Sequence, residues 1–278
     1  MRGVAHVGVM KALAEAGMLS CVKEMIGISA GSLFSLLWVL GYTLDELERL
    51  ATEFDFRLLR NIDPESVFAF PDTYGLDSGE ALEKLIQSIL RQKGFPPSAT
   101  FADLQKRCSV HLRCYATEVQ TSRIREFSTS LTPHVEVRLA IRASMSLPFF
   151  YTPVKDPESD ALLVDGGLLN NLPMVFLQEH QLHETWGVLF HATKHSIQPV
   201  KDLTEFLRHI YDGATLMRSS LFLDRYGDRV IQIPTEEFGA LNFEGSRDSR
   251  LQLIELARKT TLDFLYSKMK PMRRFSAA

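Results

Sequence analysis

The pentapeptide Gly27-Ile28-Ser29-Ala30-Gly31 restricts this chain more than any other stretch. The apolar run Met25-Ile26-Gly27-Ile28 is too short for a helix and suits a strand buried on both faces. From Ala30 to Leu40 the chain is apolar almost all round, as in a helix at the middle of a domain, and it stops at Gly41. A serine between such a strand and helix sits on a turn too sharp for side chains two residues to either side, which is where Gly27 and Gly31 stand. The turn strains the serine backbone and exposes its hydroxyl at the sheet edge. The helix beginning at Ala30 aims its free amides and positive dipole end at the same point. Glycine and serine are common enough for the pentapeptide to recur by chance in roughly one chain in ten of this size. Its strand and helix context therefore carries the argument.

Strands alternate with helices along the rest of the chain. A helical stripe (Val4, Val7, Met10, Leu13, Ala14) ends at Gly17. Thr43 and Glu46 predict a capping box for a helix through Phe54. The pattern breaks between Arg57 and Gly75, around Pro64 and Pro71, and reads as an irregular excursion. A helix from Asp77 or Ser78 to about Gln92, a short one capped by Thr100, and one from Thr132-Pro133 to about Ser144 follow. Val110 to Thr117 and Ile124 to Ser128 read as paired strands, with further strands at Ala161 to Val164, Thr185 to Phe190 and Arg229 to Pro234. Pro173 to His180, Lys201 to Leu223 and Ser249 to Lys268 read as helical. The expectation is one α/β domain over 1–278, with a largely parallel sheet, a core to about 200 and a mainly helical remainder. Ligands of such a sheet sit beyond the carboxyl ends of its strands.

Composition narrows the function. With 31 Lys+Arg against 34 Asp+Glu, the net charge of -3 leaves no basic surplus for a phosphate backbone, so nucleic acid is not expected as a partner. Cys21, Cys108 and Cys114 form neither a CxxC pair nor a disulfide framework, which points to a reducing compartment and excludes a thiolate metal site. The longest apolar run, Ala30 to Tyr42, falls short of the ~20 residues that span a bilayer, and Met1 to His6 carries no export signal. A soluble, cytoplasmic protein is the expectation.

A serine at such a turn needs a base. His180, His183, His191, His195 and His209 fit the Ser, Asp, His order of the α/β hydrolases, though a surface position is the simpler account of each. His191 and His195 lack a third ligand, so no metal site is expected. Asp165 ends an apolar strand and is followed by Gly166 and Gly167, which let the backbone turn tightly and another segment approach. Read alone, Val164 to Gly167 is also an ordinary turn.

Four stretches together resemble the patatin-like phospholipase family: Gly27 to Gly31; Val164-Asp165-Gly166-Gly167-Leu168-Leu169-Asn170-Asn171-Leu172-Pro173; Arg142-Ala143-Ser144-Met145-Ser146-Leu147-Pro148; and Ala116-Thr117 with Phe127-Ser128. The resemblance implies a three-layer α/β/α fold and a dyad in which Ser29 is the nucleophile and Asp165 the base. It also implies a lipid ester substrate met at a membrane surface, and no cofactor. The family's oxyanion loop, of the form GGGxRG, is matched only at Arg2-Gly3. Arg2 and Gly3, with Ala30, are then the candidate oxyanion donors, and the family's first strand is missing. A chain begun at an internal initiation codon, with impaired activity, is the corresponding expectation. Val67 to Phe70, Phe149 to Tyr151 and the basic residues Lys268, Lys270, Arg273 and Arg274 are candidates for lipid contact; buried aromatics and a solvated tail are their bland alternatives. A small-ester α/β hydrolase with a histidine triad and a non-catalytic lipid-binding member of the same fold stay open beside this reading.

Overall fold

The computed structural model describes residues 2–62, 64–191, 221–235 and 245–269, with the single positions 200, 206, 209, 210 and 213. It has an α/β architecture. After a short 3-10 turn at Arg2–Val4, α1 (Ala5–Glu15) leads into β1 (Glu24–Gly27) and α2 (Ala30–Val39). Leu33, Phe34, Leu36, Leu37 and Val39 of α2 are all buried. Each such side chain contributes roughly 1.5–3 kcal/mol of transfer free energy, which is why a helix apolar on every side ends up in the interior. α3 (Leu44–Glu53) starts at the expected capping box: the Glu46 N–H donates to the Thr43 hydroxyl at 3.2 Å, and the Thr43 N–H to the Glu46 carboxylate at 2.7 Å.

Three sequence expectations shift. The stretch expected to be irregular holds α4 (Pro64–Thr73). Pro64 opens the helix, where no N–H is needed, while Pro71 lies inside its last turn and withholds an N–H from the carbonyl four residues earlier, two residues before the helix stops at Thr73. β2 (Gly75–Asp77) then delays α5 to Glu80–Gln92, because the Asp77 carboxylate accepts the Gly79 N–H and closes a turn there. After α6 (Phe101–Arg107), the hairpin β3 (His111–Glu118) and β4 (Arg123–Ser128) forms as expected. Beyond it, Thr132 caps no helix. Its hydroxyl accepts the Ser128 N–H and donates to the Ser128 carbonyl, which closes the end of β4. α7 accordingly begins at Val137 and runs to Ser144.

β5 (Phe149–Tyr151), β6 (Val154–Lys155) and β7 (Leu162–Asp165) follow, then α8 (Glu179–Leu182), β8 (Gly187–His191), β9 (Val230–Pro234) and α9 (Arg247–Met269). The pairs β1–β3, β2–β5 and β8–β9 run parallel, while β4, β7 and β6 join antiparallel. β4 covers one edge of β3 from Arg113 to Glu118. Because β1 and β7 pair β3 residues that also pair β4, both lie on the opposite edge, β1 along His111 to Cys114 and β7 along Ala116 to Glu118. α2 and α7 pack against this sheet, and α9 packs against α1, α3 and β9. Among the described residues no helix is long and apolar enough to cross a membrane.

Candidate active site

β1 and β7 approach each other head-on along one edge of β3. The carboxyl end of β1 reaches Cys114 through Gly27, and the carboxyl end of β7 reaches Ala116 through Asp165. Tyr115 alone separates the two registers. Ser29 and Asp165, 136 positions apart by their numbering, are thereby brought to one gap in the sheet. Their neighbours touch: a Cβ on Gly166 would lie 3.3 Å from the Ile28 side chain.

Ser29 adopts φ 54 and ψ -132, a conformation that side chains disfavour by of order 1–3 kcal/mol. Its surroundings hold it there. The Ser29 N–H donates to the Ser144 hydroxyl at 3.0 Å, and the Ser29 carbonyl accepts the Ser32 N–H at 2.9 Å and the Ser32 hydroxyl at 2.6 Å. Space requires a glycine at 27 and favours one at 31. A Cβ on Gly27 would lie 2.5 Å from the Ser32 backbone, and one on Gly31 would lie 3.2 Å from Nε2 of His6.

Asp165 is buried at 1% exposure. Oδ1 of its carboxylate accepts the Gly167 N–H at 2.8 Å, its carbonyl accepts the Thr117 hydroxyl at 3.2 Å, and its N–H donates to the Ser146 carbonyl at 2.8 Å. A Cβ on Gly166 would also come 2.6 Å from the Tyr115 carbonyl, so the turn after Asp165 lies flat against β3. The end of α7 and the residues just past it thus bond to both sides of the gap, through Ser144 to Ser29 and through Ser146 to Asp165.

Of the expected oxyanion donors, Gly3 and Ala30 lie together: a Cβ on Gly3 would meet the Ala30 Cβ at 2.6 Å. Arg2 opens the 3-10 turn that carries Gly3. Gly31 and Ser32 donate to the Ile28 and Ser29 carbonyls, so Ala30 supplies the amide immediately after Ser29. The histidines considered as bases are scattered. His180, His183 and His209 are exposed, His191 ends β8, and His195 lies outside the described residues.

A histidine that the Ser, Asp, His order passes over stands nearer. His6, on α1, faces the first turn of α2 at Gly31, with ring centroids 4.7 Å from Phe190 and 6.0 Å from Phe34. Burial lowers its pKa to about 4, so it is neutral at neutral pH. Ser144 and Ser146 are likewise absent from any spacing argument, although both fall in the stretch Arg142 to Pro148.

Among the described residues no cluster of His, Cys, Asp and Glu could hold a metal ion. A groove of about 280 Å³ lined by Glu24, Gln105, His111 and Ser128 lies at the amino end of β1, away from Ser29. Of the lipid-contact candidates, Val67, Phe68 and Phe149 are exposed and Phe150 and Tyr151 are buried. Lys270, Arg273 and Arg274 lie outside the described residues.

The chain is 27% identical over 290 residues to "Uncharacterized protein YqhO" of Bacillus subtilis (strain 168), covering 95% of this chain and 94% of that protein. It is also 27% identical over 174 residues to "Probable lipid hydrolase 463L" of Invertebrate iridescent virus 6, covering 63% of this chain and 59% of that protein. Among solved structures, VipD from Legionella pneumophila superposes with a TM-score of 0.58 at 15% identity, over 96% of this chain and 65% of that one. ExoU from Pseudomonas aeruginosa, in complex with SpcU, gives 0.57 at 18% identity, over 98% of this chain and 51% of that one. The family model described as "Patatin-like phospholipase" matches residues 1–177, a span that holds α1, the Ser29 turn, the end of α7 and the Asp165 turn. This chain belongs to the patatin-like phospholipase family.

Proposed function

We propose that this lipid hydrolase is a serine acyl hydrolase that releases fatty acyl chains from glycerophospholipids through a Ser29 and Asp165 dyad. The observation that carries the reading is the head-on approach of β1 and β7 on one edge of β3, which delivers a strained serine and a buried carboxylate to a single gap.

In this mechanism the Ser29 hydroxyl attacks the ester carbonyl as its proton passes to the Asp165 carboxylate. In this reading the oxyanion of the tetrahedral intermediate faces the Ala30 amide and the start of α2, with Gly3 alongside. Collapse expels the alcohol, which takes the proton back from Asp165, and leaves an acyl group on Ser29. Water then attacks the acyl-enzyme with Asp165 as base, and the proton returns to Ser29 as the fatty acid leaves. A free aspartic acid is a weak base at neutral pH, so this mechanism requires the buried setting of Asp165 to favour the transfer. Exposed Val67, Phe68 and Phe149 support a substrate met at a lipid surface.

Fluorophosphonate labelling of the protein, with acyl release from phosphatidylcholine vesicles, tests the reading. Wild type is expected to be labelled at Ser29 and to release fatty acid. Ser29→Ala and Asp165→Asn are expected to lose acyl release by at least about 1000-fold while melting as wild type does. Full activity in either variant overturns the dyad, and an unlabelled wild type overturns the enzyme.

A further inference from the structure

We propose that the segment Arg142 to Ser146, at the end of α7, positions the nucleophile and the base relative to each other; the proposal rests on the acyl-hydrolase reading. Ser144 and Ser146 are fully buried, and each spends a polar atom on one half of the gap. The Ser144 hydroxyl takes the Ser29 N–H at 3.0 Å, across 115 positions of sequence, and so holds the backbone of Ser29 in its disfavoured conformation. Two residues later the Ser146 carbonyl takes the Asp165 N–H at 2.8 Å, which fixes where the carboxylate leaves β7.

The segment is itself anchored by Arg142, a buried guanidinium at 3% exposure. It donates to the Ser146 hydroxyl, to the Ser78 carbonyl at 2.8 Å and to the Thr152 carbonyl at 3.1 Å, and stacks 4.9 Å over the Tyr151 ring. The Ser146 hydroxyl in turn donates to the Arg142 carbonyl at 2.8 Å. Arg142 therefore locks the last turn of α7 to the parallel pair β2–β5. A planar cation with five donors can join Ser146, Ser78 and Thr152 at once, which a lysine ammonium cannot do in the same plane. The bonds of Ser144 and Ser146 to Ser29 and Asp165 run to backbone amides, so the contribution proposed for them is geometric. Misplacement of the reacting groups is what their loss produces.

The test compares Ser144→Ala, Ser144→Thr and Ser146→Ala with wild type by steady-state phospholipid hydrolysis, rate of fluorophosphonate capture, pH–rate profile and melting temperature. Ser144→Ala is expected to lower kcat and the capture rate together by about 10- to 100-fold, with KM unchanged and melting within a few degrees of wild type. Ser144→Thr, which keeps the hydroxyl, is expected to recover most of both. Ser146→Ala, which frees the carbonyl seat of Asp165 from Arg142, is expected to lower kcat and the capture rate likewise, both variants leaving the limbs of the pH–rate profile in place. Wild-type kcat and capture in Ser146→Ala overturn the part given to Ser146. Wild-type kcat and capture in Ser144→Ala overturn the proposal while the dyad stands, as does a loss that matches the fraction unfolded. A wild type that neither hydrolyses nor is captured brings down the acyl-hydrolase reading and this proposal with it.

Discussion

His6 shows how one side chain can tie the site to pH. Its ring packs among Gly31, Phe34 and Phe190, and burial holds its pKa at about 4 in place of the ordinary ~6.5. The unfolded chain takes up a proton near pH 6.5 and the folded chain only near pH 4. The contribution to stability is therefore complete above 6.5 and falls away as pH drops from 6.5 to 4, by at most about 3 kcal/mol. Urea melts of wild type and His6→Gln across that range are the measurement. The wild-type midpoint should fall with pH more steeply than that of the variant, and parallel curves would contradict the assignment. The turns that carry Ser29 and Asp165 were legible in the sequence because sharp turns demand glycines at set offsets, while a role for Asp165 came only with the family resemblance. Their partners Ser144 and Ser146 were not, since a hydrogen bond across 115 positions leaves no spacing to read.

At the level of elements, the first two helices, the capping box at Thr43 and the β3–β4 hairpin followed from local pattern, where period and cap chemistry agree. Two of the departures share a cause: a side chain that would cap a helix was used by a neighbouring turn, as with Thr132 at the end of β4 and Asp77 after β2. α4 escaped notice because Pro64 and Pro71 both read as breakers, whereas Pro64 is the first residue of the helix and Pro71 falls only in its last turn. This helix presents Phe68 at 85% exposure, and the Phe70 ring lies 6.5 Å from that of Phe149, itself 48% exposed. Two stretches far apart in sequence thus meet at Phe70 and Phe149, and each offers an exposed aromatic ring, Phe68 on α4 and Phe149 on β5. If the substrate is met at a lipid surface, replacing Phe68 and Phe149 together by serine should reduce vesicle hydrolysis about tenfold or more, at about 1.4 kcal/mol per tenfold in partitioning. Hydrolysis of a short-chain soluble ester should be unaffected. Equal loss on both substrates would place the defect in the site and not in membrane contact.

On the scale of the whole molecule, α9 lies beyond the 1–177 family match and still belongs to the core. Leu253, Ile254 and Ala257 are buried, and α9 lies so close to α1 that a Cβ on Gly8 would stand 2.0 Å from the Ile254 carbonyl and 2.9 Å from the Ala257 Cβ. No local pattern announces a contact between residues 8 and 254; the glycine reads as a weak helix former until its neighbour is known. Gly8→Ala must push the two helices apart, at a cost of about 1–3 kcal/mol, and since α1 carries His6 the shift should reach the site. Thermal melting and ester turnover check it, and unchanged values for both would show that the pair can give way.

β3 also acts as a ruler with one division. With β1 claiming it up to Cys114 and β7 from Ala116 onward, the opening between the strand ends is one residue wide and can change only in whole residues. A single insertion beside Tyr115 would widen it by ~3.3 Å, enough on the proposed dyad mechanism to part the Ser29 hydroxyl from the Asp165 carboxylate, and a single deletion would run the strands into each other. Drift in the loops leaves that interval untouched, so the tolerance of this site for change is set by counting along one strand.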